Sequence, residues 1–372
     1  MSFDRSSPTL FFSKNYREGR QRFLEICMAK GLDVSAYIHP DHKGPQGEDL
    51  AIDCAWIGPQ NAEKVMVVAC GTHGLEASTG AATILQFLYN NAYLERSQDT
   101  ALLIIHPINP FGWAYDRRGN EDGIDLNRNC LDHSLPYPVN TAYDDLHPLI
   151  KNAHVDSEGL VAFIKAFHGY SAQHGLGQSI GGITAGQYTY PNGMSFGGNA
   201  LSWSCQTLYT IVEQYLGHAK KIVMVDWHTG IGSYGKPYFI MDDPVSSPAY
   251  AQASQWWAPH TIHSDDILDG ASPDYSGLII RGLKEKITSI GNAETLCVVI
   301  EWGTYKLDEM LQSLLLDDWL KANYTAEGPL VDTVRAQLID RFCPQAPKWR
   351  NAVLTTAPSL YQQALKGLRK WD

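Results

Sequence analysis

Four apolar runs of strand length stand out along the chain: VMVVACG at 65–71, ALLIIHPI at 101–108, KIVMVDWHT at 221–229 and LCVVIEWG at 296–303. Each is rich in β-branched residues and stops at a glycine or a polar turn, the pattern of a strand buried in a sheet. All are far shorter than the roughly 20 residues that cross a bilayer. The stretches 16–30, 77–90, 159–167, 201–216 and 306–324 read as helices. Strand and helix thus alternate, which predicts an α/β fold with a helix-covered sheet and ligands bound where carboxyl ends of strands meet loops.

Composition narrows the class without naming an activity. A chain of 372 residues admits one or two domains. With 44% hydrophobic and 19% charged residues it is too apolar for disorder and too weakly charged for a coiled coil. Forty acidic against 29 basic side chains give a net charge of −11, which argues against a nucleic-acid surface. The seven cysteines are odd in number and show no C-x-x-C spacing, so they read as reduced thiols. The first twenty residues lack the basic, apolar and small-residue segments of an export signal, and a cytoplasmic location is expected.

The strand ends carry the chemistry. After the first run come His73 and Glu76; after the second His106 and Asn109; the third ends at Asp226 and His228, and the fourth at Glu301. A strand-end histidine is ordinarily a hydrogen-bonded or surface residue, but four such ends converge. His73 and Glu76 supply a nitrogen and a carboxylate oxygen, both accepted by zinc, and glycines on either side of His73 allow a tight turn. His228 is the best third ligand candidate. Asp226, two residues earlier on the same strand face, is placed to orient a ligand. The loop 117–129, RRGNEDGIDLNRN, gathers guanidinium and amide donors. Arg128 and Asn127 suit a substrate carboxylate, and Arg118 suits a carbonyl oxygen that gains charge. The same loop also reads as a solvated, charge-balanced turn, since acids alternate with its arginines.

In order and spacing, these residues resemble the carboxypeptidase A-like zinc carboxypeptidases: H-x-x-E at 73–76, Asn109-Pro110 after a strand, R-x-N and then G-I-D-L-N-R-N at 118–129, and strand-end His228 and Glu301. The sequence is most similar to an uncharacterised cytosolic branch, and it shares features with the aspartoacylase and succinylglutamate desuccinylase group. The resemblance implies a mixed central sheet sandwiched by helices, of the phosphorylase/hydrolase-like kind. It implies Zn2+ bound by His73, Glu76 and His228, Glu301 as general base, and Arg118 as oxyanion donor. Asn127 and Arg128 would hold the free carboxylate, and Asp125 would support a metal-bound histidine. The catalytic tyrosine of the family is matched best by Tyr275, with Tyr234 and Tyr238 as competitors. The implied substrate is a small peptide or an N-acyl amino acid, with neither nucleic acid nor membrane as partner.

Other readings are carried beside this one. Gly193-Met194-Ser195-Phe196-Gly197 matches a serine-hydrolase elbow with Asp226 and His228 following in order, but no apolar strand precedes Ser195. A non-catalytic binding protein is a third class, disfavoured because pure binding needs no base opposite an open zinc position. His39/His42 and His260/His263 have metal-compatible spacing without partner acids and read as structural, as does His106. Cys70 and Cys130 read as inert thiols. Arg281 is a candidate partner for an acidic terminal side chain, against the plainer reading of a solvated helix-face arginine. The segment 129–227 is long for the resembled family, and its glycine-rich stretch 174–198 is expected to form a lid, or else an irregular loop. Residues 1–328 are expected to form one catalytic domain, with 329–372 a helical extension packed on it.

Overall fold

The computed structural model describes residues 8–264 and 273–371. Its strands are β1 (Val34–Lys43), β2 (Asp49–Ile57), β3 (Lys64–Cys70), β4 (Thr100–His106), β5 (Lys221–Gly230), β6 (Pro237–Ile240), β7 (Ile262–His263) and β8 (Glu294–Gly303). They form one mixed sheet in the order β1-β2-β4-β3-β5-β8-β6-β7. The four apolar runs are the parallel centre, β4-β3-β5-β8, with antiparallel neighbours on both sides. These strands read as continuous apolar runs because helices cover both faces. The chain passes from β3 to β4 on one side and then to β5 on the other, so the strand order reverses at β3. Open α/β sheets bind ligands at such a point.

The helices are α1 (Tyr16–Ala29), α2 (Ala77–Tyr89), α3 (Pro110–Ala114), α4 (Thr141–Lys151), α5 (Ser157–His174), α6 (Leu176–Thr184), α7 (Trp203–Leu216), α8 (Pro248–Trp256), α9 (Ile279–Ile290), α10 (Leu307–Lys321), α11 (Pro329–Phe342) and α12 (Pro347–Arg369). One sheet face packs Val225, Trp227, Val298 and Trp302 against α1, α2, α8 and α12. The other packs Val67, Met224, Cys297 and Val299 against α7 and α9. A third cluster joins α4, α5, α6, α10 and α11. Of the glycine-rich stretch expected as a lid or an irregular loop, 174–184 form the end of α5 and the helix α6, which borders a cleft through Ile180 and Thr184, while 185–198 are irregular with a single bridge from Gln187 to Phe196. The reason is packing: Ile180 and Ile183 are buried, and Gly182 lets α4 approach so closely that a Cβ would meet Leu146 and Ala142 at 2.8 and 3.0 Å.

The C-terminal helices join the sheet's own core. Trp227 Nε1 donates to the Tyr361 hydroxyl at 2.8 Å, Trp349 Nε1 to the Gly303 carbonyl at 2.8 Å, and Thr229 Oγ1 to the Phe342 carbonyl at 2.6 Å. All seven cysteines are buried and free. No helix among the described residues is long and apolar enough to cross a membrane.

His106 is fully buried, stacks on Phe23 at 4.5 Å, and has no hydrogen-bond partner for either ring nitrogen among the described residues. Burial lowers its pKa from 6.5 to about 3. The folded state therefore resists a proton that the unfolded chain accepts, and stability falls as pH drops from about 6.5 toward 3. At pH 5 this group alone should cost about 2 kcal/mol relative to pH 7. Urea titrations at both pH values should show His106→Phe losing that much less than wild type; equal losses would remove His106 from the acid response.

Candidate metal centre and substrate cleft

His73 stands just beyond β3, before a short 3-10 turn, Gly74–Glu76, that runs into α2. The turn brings His73 Nδ1 to 2.8 Å from Glu76 Oε1. In β5, His228 pairs in register with Glu301 of β8, and Asp226 with Val299. Parallel partners share a face, so Asp226, His228 and Glu301 all project to the α7/α9 side at the carboxyl edge. His228 Nδ1 lies 3.2 Å from Glu76 Oε2. The three donor atoms of His73, Glu76 and His228 lie within 4.8 Å of one another, and all three residues are buried.

Each histidine presents Nδ1 to Glu76 and has its other nitrogen held by a carboxylate. His73 Nε2 is 3.1 Å from Asp125 Oδ1, and His228 Nε2 is 2.8 Å from Asp226 Oδ2. Thr72 Oγ1 donates to that same Asp226 oxygen, and the Thr229 amide donates to Glu76 Oε2. Carboxylate support of a ligating imidazole fixes its tautomer and raises its basicity. Burial alone would lower His228, but the charges and hydrogen bonds of Asp226 and Glu76 together outweigh it and hold the imidazole well above its ordinary value. Burial would raise Glu76, yet the His73 charge and hydrogen bonds from both histidines hold it below the usual carboxylate range. Glu301 behaves oppositely: burial and then the neighbouring Glu76 carboxylate push it up to about 8. Four buried carboxylates, Glu76, Asp125, Asp226 and Glu301, thus crowd one edge and call for positive charge. Two imidazoles and one carboxylate oxygen at this spacing are a donor set that would suit a divalent ion such as zinc.

Beside this centre opens a cavity of about 860 Å³, lined by all of His73, Glu76, Arg118, Asn127, Arg128, His228, Tyr275 and Glu301. The loop that carries the arginines is folded on Asp125, whose Oδ1 accepts from the Asn127 amide. Arg118 Nη2 lies 2.9 Å from Asp125 Oδ2. Asp317 of α10 accepts from the Arg118 amide and from Arg117 Nε, both at 2.9 Å. Arg128 spends Nε on the Thr184 carbonyl and Nη1 on the Asn127 carbonyl, and its guanidinium sits 4.5 Å from the Tyr275 ring. Asn127 Oδ1 accepts from the Ile279 amide. Among the described residues, Arg128 Nη2 and Asn127 Nδ2 therefore remain as donors. Gly277, at φ +68°, lets the tyrosine turn press on this loop: a Cβ there would stand 2.1 Å from the Arg128 carbonyl oxygen.

Several candidates take other places. Ser195 has a left-handed backbone, φ 54°, but donates its hydroxyl to the Ile183 carbonyl at 2.7 Å and is absent from the cavity lining. Tyr234 is exposed and packs on Tyr305, while Tyr238 lines the cavity and stacks on His263. Residues 270–272 of the tyrosine loop lie outside the described residues. Arg281 does line the cavity, but Asp242 takes its Nε and Nη2 at 2.8 and 2.6 Å, and Nη1 reaches the Tyr275 carbonyl. It is thus a partly exposed arginine on α9 already paired with Asp242, rather than an unpaired partner for an acidic side chain. His39 Nδ1 accepts the Asp41 and His42 amides, a local structural role. Sequence reasoning singled out the stretch containing α6 as a lid without naming Ile180 and Thr184, which it brings to the cleft, and passed over Asp317. The arginine pair at 117–118, needing buried counter-charge, was the available signal for the latter.

Fold and site together define an α/β protein with a buried His/Glu/His cluster, able to hold a cation, beside an arginine-bearing cleft. The chain matches the family described as "Protein of unknown function (DUF2817)" over residues 12–356, and it belongs to that family. No curated protein matches it. Among solved structures, carboxypeptidase A from Helicoverpa armigera is similar at 12% identity, covering 90% of this chain and 77% of that one, with a TM-score of 0.46. A candidate carboxypeptidase A from Shewanella denitrificans OS-217 is similar at 12% identity over 96% of this chain and 70% of that one, TM-score 0.45. A candidate succinylglutamate desuccinylase/aspartoacylase from Shewanella frigidimarina NCIMB 400 is similar at 15% identity over 79% and 71%, TM-score 0.37.

Proposed function

We propose that the chain is a zinc-dependent hydrolase that cleaves an amide bond next to a residue with a free carboxylate, acting on peptides as a carboxypeptidase. The observation that carries this reading is the meeting of the His73/Glu76/His228 cluster, the perturbed Glu301 and the donors of Arg118, Asn127 and Arg128 around one cavity. When bound, zinc supplies a water of lowered pKa and polarises the scissile carbonyl. Glu301 takes a proton from the attacking water and returns it to the leaving nitrogen, a task suited to a carboxyl tuned near neutrality. Arg118 donates to the carbonyl oxygen as negative charge develops, held in place by Asp125 and Asp317. Arg128 and Asn127 hold the carboxylate, and Tyr275 offers its hydroxyl beside them.

Deacylation of an N-acyl amino acid is the second reading, because such a substrate presents the same carbonyl and the same carboxylate. Both are tested by assaying zinc content and then screening peptides and N-acyl amino acids with free or amidated carboxyl ends. Free acids should be cleaved at least about a hundredfold faster, since an amidated end leaves the buried Arg128 without a charged partner. Equal rates would contradict the roles of Asn127 and Arg128.

A further inference from the structure

We infer that the group on the carbonyl side of the scissile amide is apolar, an aliphatic or aromatic acyl chain or an apolar penultimate side chain, and that it lies along α10. This rests on the amide hydrolysis proposed above and adds the substrate's chemistry to it.

In α10, Leu307, Met310, Leu311 and Leu314 fall at i, i+3, i+4 and i+7, one stripe of the helix, and all four line the cavity. The helix does not need that whole stripe for its own packing. Leu315, Leu316 and Leu320, with Leu311 of the stripe itself, anchor it in the core with α5 and α11; Met310 and Leu314 pack on that core but stay half-buried, and Leu307 is 36% exposed, so these three keep surface for the cavity. Phe342 and Ile231 extend the apolar wall, and Lys306 stands at the start of the helix.

The wall borders the reacting end of the cleft. The point that a Cβ on Gly230 would occupy is 3.5 Å from the Met310 methyl and 3.9 Å from Glu301 Oε2, so thioether and base flank the same spot. Thr304 Oγ1 donates to Met310 Sδ at 3.4 Å and steadies that side chain. Toward its other end α10 holds the Arg118 backbone through Asp317, and Leu314, one turn earlier, lies beside Arg118. The groups around Arg128 are different ones: Thr184, Tyr188, Tyr275 and Gly277. A substrate with its carboxylate at Arg128 and its carbonyl between Arg118 and Glu301 therefore sends its remaining part along α10. A charged group against Met310 and Leu314 would lose its hydration, with Lys306 at the helix start as the cation lining that wall among the described residues, whereas methylenes gain by burial. The cavity, at about 860 Å³, lies high in the range of roughly 300–1,000 Å³ typical of ligand sites.

The test is calorimetric titration of zinc-loaded Glu301→Gln protein with N-acyl-leucines from acetyl to octanoyl, and with acetyl-X-leucine in which X is Gly, Leu, Phe, Asp or Lys. Wild-type initial rates are measured on the same compounds. Kd should fall about two- to fourfold per methylene, or by tenfold or more from Gly to Leu or Phe. A gain confined to one series identifies the source of the apolar group. Affinity that is flat or falls along both series overturns the inference, whether or not anything is cleaved. A clear gradient in Kd with no cleavage of any compound overturns the hydrolytic reading and leaves the apolar wall standing. Met310→Asp and Leu314→Asp should flatten the gradient and Met310→Leu preserve it; the unaltered wall already decides the matter if the Asp variants fail to fold.

Discussion

Glu301→Gln should lower kcat by about 10²- to 10⁴-fold while zinc content and thermal stability stay close to wild type. The substitution keeps the size of a side chain that is 7% exposed and preserves an oxygen for the long 3.4 Å contact from the Ile231 amide. It removes the ability to carry a proton. It also removes a carboxylate that opposes Glu76, whose repulsion with burial holds Glu301 at about 8, so nothing in the packing penalises the amide. A purely structural Glu301 would show the reverse pattern, with modest kinetic change and altered melting. Turnover equal to wild type in zinc-loaded Glu301→Gln protein would end the proposed mechanism.

The second large effect is expected on removal of the metal. A chelator should bring turnover to background and lower Tm, and one equivalent of zinc per chain should restore both. The stability change follows from mass action: free zinc at a thousandfold over Kd stabilises the folded chain by about 4 kcal/mol. Without a divalent ion, the carboxylates around Glu76 are balanced, among the described residues, by the two imidazoles, Arg118 and Arg128. His228→Ala should abolish the zinc response and leave Asp226 buried with Thr72 as its remaining side-chain donor. The chelator titration, followed by both activity and melting, separates this from a structural ion elsewhere: activity that survives full chelation would refute a zinc mechanism at this site.

Legibility from sequence followed burial. β3, β4, β5 and β8 were readable because strands covered on both faces must be apolar along their whole length. β1 was not, because it is an edge strand whose sequence, VSAYIHPDHK, carries the proline and charges that blunt an edge. In the site, His73, Glu76, His228, Glu301, Arg118, Asn127 and Arg128 could be picked out by type and spacing and line one cavity, whereas the strand-end His106 stacks on Phe23 away from it. The partners that neutralise or brace them could not, since Asp242 meets Arg281 across 39 residues and Asp317 meets Arg117 across 200. The α10 stripe was visible as helical periodicity, but a cleft-facing stripe and a core-facing one look alike until the neighbours are known.

The bonds from Trp227 to Tyr361 and from Thr229 to Phe342 span 134 and 113 residues, and they flank His228 on its own strand. Contacts of such separation form late, because loop closure must come before they contribute anything. The order of assembly is thereby fixed in outline. The 73–76 turn can settle on β3 and α2 early, but the strand presenting the third ligand is braced only when the last two helices dock. On the proposed reading, a chain whose last two helices have not docked would present its third metal ligand from an unbraced strand, so hydrolytic competence would arrive at the end of folding.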